Sequence, residues 1–553
     1  MLQFLSLIGT TLLATLVQKF LLWTGGNNIV DLGYVKYQGN LSFPDTVAYL
    51  GIPYAEPPVG DRRFRAPLSL NTSRVSDEAG GKEKIVDASH YPEFCIQGAL
   101  GGADKGGAGS EDCLKVNVYA PAGAKPNDKL PVLVYFHGGG YINGNPQSWP
   151  YDHWIHQSPN VIVVAVQYRL FSFGFLAVPE FRDPSLGDFN VGFQDQTQAL
   201  RWVQEHITAF GGDPTKVTID GHSAGGASVE LHLVATDQEG LFSGAIVQSV
   251  YRASVPPPEQ QQLLFERYAD KAGCGSGSVT DKLACLRKAS VSALAQAQDS
   301  AWDFDRVYNI FRPVADGRII TEPPTVSLSK GRFAKVPIMA GATTDETYYG
   351  FATSGTVETS LRAIFPSLND KDVKELVQAY PASDFSSLVK QLQTGIAESL
   401  FICGVQALGN AFADATGAWT YRFDQMHPTG DPSLGVMHTA ENWYMFLGTD
   451  GTGSNGTTIR ITTGMDSTET AFGEELIAYW ISFVRSGNPN TFKLDRSPTW
   501  AQYTNGEGKR ERIVLRKGPA DRTDVTGSFM EEMDQKQARR CSLVLSKAER
   551  QQN

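Results

Sequence analysis

The sequence predicts an α/β architecture: a large, mostly parallel central sheet with helices on both faces and a helical cap. Two observations lead there. Short apolar runs rich in β-branched residues recur along the chain, and helical patterns lie between them. Continuous hydrophobicity without alternation suits strands covered on both faces. Strands that alternate with helices suit a parallel sheet built from crossovers.

The elements follow in chain order. Phe4 to Val17 is an apolar run uninterrupted by charge, the length of a signal-peptide core and short for a bilayer span. Residues 1–26 therefore read as an export signal. The run lacks a basic start, and Phe20 to Trp23 extends it past Lys19, so an uncleaved N-terminal anchor is the alternative. Strands are expected at Val132–Phe136, Val161–Val166, Val217–Ile219, Ala245–Val247, Pro337–Gly341 and Ala418–Phe423. A helix is expected over Gln194–Phe210, leading into a turn at Gly211–Pro214. Residues 255–310 and 350–410 are helix-rich without strong strands, and are assigned to the cap.

The 553 residues suggest three or four domains at roughly 150 residues each. No internal repeat or Pro/Ser/Gly-rich linker divides them, so residues 27–553 are read as one domain. Hydrophobic residues at 41% and charged residues at 19% exclude a disordered chain. The net charge of −11, with no block of Lys or Arg, argues against a nucleic-acid partner. Sequons at Asn40, Asn71 and Asn455 are candidate glycosylation sites of a secreted protein. Six cysteines (Cys95, Cys113, Cys274, Cys285, Cys403, Cys541) form an even set with no zinc-type spacing, so no metal is expected. They admit fifteen pairings, and periodicity does not choose among them. The C-terminal RQQN carries no hydrophobic tail, so neither a GPI signal nor a C-terminal anchor is expected.

Two motifs carry chemistry. In VTIDGHSAGGASVELHLVA, residues 217–235, a strand runs into Gly221-His222-Ser223-Ala224-Gly225 and a helix follows at once. That is the context of a nucleophile elbow, a turn tight enough to require flanking glycines and to expose the Ser hydroxyl above the sheet. The new helix points its N-terminus at the site and favours developing negative charge. The second motif, Phe136-His137-Gly138-Gly139-Gly140-Tyr141, follows a buried strand. Consecutive glycines can aim several backbone N–H groups at one oxygen, the requirement of an oxyanion hole.

With these residues in view, the chain resembles the type-B carboxylesterase/lipase family, the cholinesterase-like branch of the α/β-hydrolases, in the form of a secreted fungal-type member. The likeness runs from about residue 29 to residue 541. It rests on Tyr49–Pro67, Ser110–Pro121, FHGGGY, Asn190–Val203, FGGDPTKVT and GHSAGGASV, in the family's order. It implies an α/β-hydrolase fold with no cofactor. It also implies a triad in the order Ser, acid, His: Ser223, Glu346 and His438, with Asp345 as the rival acid. Gly139, Gly140 and Ala224 would supply the oxyanion donors. The residues alone would leave nine histidines as candidate bases. The same resemblance implies the disulfides Cys95–Cys113, Cys274–Cys285 and Cys403–Cys541.

Three departures from the family bear on the substrate. His222 stands where cholinesterases carry Glu, removing a carboxylate that favours cations. The loop from Cys95 to Cys113 is Gly/Ala-rich and holds no Trp, against both choline binding by cation–π contact and an amphipathic lid. Thr347 replaces the family's Gly after the acid, followed by Tyr348 and Tyr349. Trp302, Phe304, Tyr308 and Phe311 fall where relatives line the acyl pocket. The expected activity is hydrolysis of an uncharged, bulky or aromatic carboxylic ester through an acyl-enzyme. Acyl transfer or lactone formation in a secondary-metabolite pathway is the enzymatic alternative, and a non-catalytic adhesion role the other. The expected partner is a small-molecule ester, with no stable membrane insertion once the signal is removed; the oligomeric state is open.

Overall fold

The computed structural model describes residues 28–98, 109–300, 310–347, 354–449, 464–506 and 509–553. Residues 1–27, which hold the expected export signal, lie outside the described residues, as do Asn455, Trp302, Phe304, Tyr308, Tyr348, Tyr349 and most of the stretch between Cys95 and Cys113.

Thirteen strands form the sheet among the described residues. They are β1 (Ile29–Asp31), β2 (Lys36–Phe43), β3 (Thr46–Pro53), β4 (Ile85–Ala88), β5 (Lys115–Pro121), β6 (Leu130–Phe136) and β7 (Ile162–Val166). After them come β8 (Gly212–His222), β9 (Gly244–Gln248), β10 (Ile338–Thr343), β11 (Ala418–Phe423), β12 (Glu511–Leu515) and β13 (Phe529–Glu532). The order is β1-β2-β3-β5-β7-β6-β8-β9-β10-β11-β12-β13, with β4 paired to β2. From β7 to β12 every ladder is parallel. The flanks β1-β2-β3-β5-β7 and β12-β13 are antiparallel, so the sheet is mixed at its edges. This is the α/β-hydrolase arrangement.

Side-chain alternation divides the core. Val132, Val134 and Phe136 of β6 face one apolar layer, whereas Leu133 and Tyr135 face the other. The first layer is closed by helices Val191–His206 and Ala224–Val234, the second by helix Ser467–Ser486. Trp154, Trp202, Trp443, Trp480 and Trp500 are all fully buried, and truncating one to Ala would cost about 3–5 kcal/mol.

Two expectations change in detail. The turn expected at Gly211–Pro214 ends at Gly211, and β8 begins at Gly212. A register irregularity between Leu130 and Val132 lets β6 accommodate the extra residues. The helices of 354–397 do form a separate small core with Val357, Leu361, Leu376, Leu392 and Ile396. Helix Cys403–Phe412, expected in the cap, instead packs on β10 and β11, because nearly all its residues are apolar or small and buried.

Candidate active site

Ser223 sits between the end of β8 and the helix Ala224–Val234, with φ +60° and ψ −120°. A Cβ on Gly221 would lie 2.3 Å from the carbonyl carbon of Gly225, and one on Gly225 would lie 1.9 Å from the Phe136 carbonyl oxygen. Only glycine fits either place. The strained turn is pinned by the Ser223 N–H donating to the Gln248 carbonyl at the end of β9, 2.9 Å away.

The glycine run after β6 lies against this turn. A Cβ on Gly138 would meet the His222 carbonyl oxygen at 2.6 Å and the Ser223 Cβ at 3.0 Å. Gly139 and Gly140 have φ of +108° and +64°, and their N–H groups find no acceptor among the described residues. The N–H of Ala224, in the first turn of its helix, likewise has no intrahelical acceptor. His137 is buried beside them, stacked on Tyr168 at 4.4 Å, and burial pushes its imidazole down to about 4.

The remaining parts hang from β10 and β11. His438 Nε2 lies 2.9 Å from Ser223 Oγ, and its Nδ1 lies 2.5 Å from Glu346 Oε2. The other oxygen of Glu346 accepts from the Thr343 N–H and the Ser249 hydroxyl, both at 2.7 Å. Glu346 is fully buried with φ +49°. Its neighbour Asp345 points elsewhere: it pairs with Lys390 and accepts from the Val436 N–H at 2.8 Å. Thr347 has a concrete part, because its carbonyl accepts from the His438 N–H at 2.7 Å and its hydroxyl donates to the Leu434 carbonyl. The residue that replaces glycine thus ties the turn carrying the acid to the one carrying the histidine.

His222 is buried, with its ring 4.9 Å from that of His438. Desolvation, and secondarily His438, push its imidazole well below the usual range, so it is neutral. Glu441 is buried 3.7 Å from it; burial first, then the charge of Glu346, pushes this carboxyl up to about 8. Phe401 sets its ring 4.6 Å from His438. Ser249, Thr343, Phe401 and Glu441 were not found from sequence. For Glu441 the one available signal was an acid opening the apolar run Trp443–Phe446 directly after His438.

The other expected residues fall as follows. The cysteines pair as Cys95–Cys113, Cys274–Cys285 and Cys403–Cys541, with Cα separations of 5.0, 5.6 and 4.9 Å. Glu398 lies beside the last pair, but it is committed to Arg540 at 2.6 and 2.8 Å and to the Tyr380 hydroxyl at 2.9 Å. With both sulfurs bonded, that cluster offers no ligand set for a metal. Asn40 and Asn71 are exposed. Phe311 is 1% exposed and packs on Phe171 and Tyr268, which makes it core.

A hydroxyl, an imidazole and a carboxylate in line beside unpaired backbone donors can carry out acyl transfer. Comparison with known proteins points the same way. Residues 32–526 match the carboxylesterase family. The chain is 31% identical to an acetylcholinesterase of Bungarus fasciatus over 488 residues, 83% of this chain and 77% of that protein. It is 32% identical to the para-nitrobenzyl esterase of Bacillus subtilis over 500 residues, 88% and 95% of the two chains. It is 30% identical to Lipase 2 of Geotrichum candidum over 542 residues, 86% and 89%. The crystal structure of Aspergillus niger EstA superposes with a TM-score of 0.81 at 29% identity, covering 95% of this chain and 99% of that one. The chain belongs to the carboxylesterase family and is a carboxylic ester hydrolase.

Proposed function

We propose that the chain hydrolyses an uncharged carboxylic ester through an acyl-enzyme on Ser223. As Ser223 Oγ attacks the carbonyl carbon, His438 Nε2 takes its proton and Glu346 stabilises the imidazolium through Nδ1–H. The N–H groups of Gly139, Gly140 and Ala224 receive the oxyanion. The tetrahedral intermediate collapses, the bond to the alcohol oxygen breaks, and His438 returns the proton to the leaving alcohol. Water then attacks the acyl-enzyme with the same histidine as base, releasing the acid and restoring Ser223.

The observation that carries this reading is the unbroken Ser223–His438–Glu346 relay beside the glycine run. The neutral His222 supports an uncharged substrate, since no ionised carboxylate adjoins Ser223 along the chain. Three disulfides fit an oxidising compartment, and we place the protein in the secretory pathway, with Asn40 and Asn71 open to glycans.

The test is labelling with an organophosphate followed by peptide mapping, together with hydrolysis of short p-nitrophenyl esters. Ser223 should carry the adduct, and Ser223→Ala should lose turnover. A Ser223→Ala enzyme that still hydrolysed these esters would overturn the assignment.

A further inference from the structure

The loop that carries the glycine run is gripped from outside by one side-chain amide. Gln97 lies just after Cys95 and is 6% exposed. Its Nε2 donates to the Gly144 carbonyl at 2.7 Å, and its Oε1 accepts from the Gly144 N–H at 3.2 Å. Turned over, the amide would set its N–H₂ against an N–H and its oxygen against a carbonyl, so only one orientation serves. The next residue adds a third tie, since the Gly98 N–H donates to the Ile142 carbonyl at 2.9 Å.

What Gln97 grips leads directly to the oxyanion donors. Gly144 has φ +109°, and a Cβ on it would meet the Gly138 carbonyl oxygen at 2.3 Å and His137 Nδ1 at 2.5 Å. Its main chain is therefore packed on the start of the glycine run. Between them, the Gly139 carbonyl accepts from the N–H groups of Ile142 and Asn143 at 3.0 and 3.1 Å. Residues 138–144 thus form one closed loop, with Gln97 at its outer end and the Gly139 and Gly140 N–H groups at its inner end. Gln97 is itself anchored. The fully buried Gln298 donates to its carbonyl at 3.1 Å, and Gln298 Oε1 accepts from the Ser172 N–H and hydroxyl at 3.2 and 2.7 Å. The Cys95–Cys113 bond ties the same segment to the chain entering β5.

We propose that Gln97 is a positioning residue of the reaction: its carboxamide clamps the main chain of Gly144 and so holds the Gly139 and Gly140 N–H groups where the oxyanion forms. This role rests on Gly139 and Gly140 being oxyanion donors, and deepens that assignment. Donors aimed in advance need no reordering as charge develops. A loop released at its outer end must be ordered at every turnover, and a misplacement of about 1 Å can cost about 10²-fold.

The experiment uses the full chain. It reads kcat and KM for p-nitrophenyl butyrate, the inhibition constant of an alkyl trifluoromethyl ketone, and thermal unfolding as a check on folding. Ser223 Oγ bonds to the ketone carbon, its proton passes to His438, and the carbonyl π pair becomes an oxyanion on the same donors. Gln97→Met keeps the volume and loses both hydrogen bonds. Gln97→Glu keeps an acceptor for the Gly144 N–H and sets its other oxygen against the Gly144 carbonyl. Each should lower kcat about 10- to 100-fold with KM within about threefold, and weaken the ketone by a matching factor. A folded Gln97→Met enzyme with kcat within about threefold of wild type overturns the proposal. So does a loss of kcat with ketone affinity unchanged, which would mark a merely structural role. Where Gln97→Met does not fold, Gln97→Glu decides by the same two outcomes. A folded Gly139→Ala enzyme that keeps both kcat and ketone affinity would instead overturn the oxyanion assignment beneath the proposal.

Discussion

Gly139→Ala tests the oxyanion assignment without touching the relay. Gly139 has φ +108°, a conformation that L side chains rarely adopt. Its added Cβ would stand 2.1 Å from the Asn143 carbonyl oxygen and 2.4 Å from Asn143 Oδ1. The side-chain oxygen can rotate away, but the backbone oxygen is held by the turn in which the Ile142 and Asn143 N–H groups donate to the Gly139 carbonyl at 3.0 and 3.1 Å. The segment must therefore shift by more than a bond-angle adjustment absorbs. The N–H groups of Gly139 and Gly140 shift with it, away from the position of the oxyanion. Losing one such donor costs about 2.7–4 kcal/mol of barrier lowering, or 10²–10³ in kcat. Binding of the neutral ester depends little on these donors, so KM should stay within about threefold. The assay is steady-state hydrolysis of p-nitrophenyl butyrate, with active sites counted by organophosphate titration and folding followed by thermal unfolding. A folded Gly139→Ala enzyme with kcat within about threefold of wild type would refute the reasoning.

Further outcomes follow from the same geometry. Glu346→Gln should lower kcat by about 10⁴ by reversing the polarity of the bond to His438 Nδ1. Asp345→Asn, which loses the Lys390 pair but keeps an acceptor for Val436, should stay within about tenfold; steady-state kinetics of the two variants separates the acid from its rival. Replacing Cys403 and Cys541 by Ala opens a loop of sequence separation 138, and chain entropy puts the loss at about 5 kcal/mol. For Cys274–Cys285, with separation 11, the same relation gives about 3 kcal/mol; denaturant unfolding should rank the two in that order. Glu441 has a folded pKa above its unfolded value, so its contribution is fully present in acid and is lost as pH rises toward about 8. The stability of Glu441→Gln relative to wild type should therefore increase between pH 5 and 8 in urea titrations; a pH-independent difference would contradict an un-ionised Glu441.

The parallel strands from β6 to β11 were legible because burial on both faces demands unbroken apolar runs, as in Val161–Val166. The antiparallel flank was not. Strand β2, KYQGNLSF, is half exposed, and its pattern resembles a polar loop. Pro214 suggested a turn, yet it lies within β8. At the site, Ser223 and the glycine run were readable because their backbone demands are local and only glycine meets them. Glu346 and His438 came from family likeness: each sits alone in its segment, 123 and 215 residues from Ser223 in sequence, and only the sheet brings them together. Ser249 had no local signature and Glu441 only that of an acid ahead of an apolar run, since their contacts join segments distant in sequence.

The relevant loops leave the ends of β6, β8, β10 and β11, which belong to one run of parallel neighbours, β6-β8-β9-β10-β11. Adjacent strands keep a pitch of about 4.8 Å, so the spacing of Gly139, Ser223, Glu346 and His438 is quantised by the ladder, and each loop can adjust only its own length and aim. The helices of 354–397, with their own small core, stand outside that ladder. Such a division would let the helices of 354–397 vary while Ser223, Glu346 and His438 stay in register.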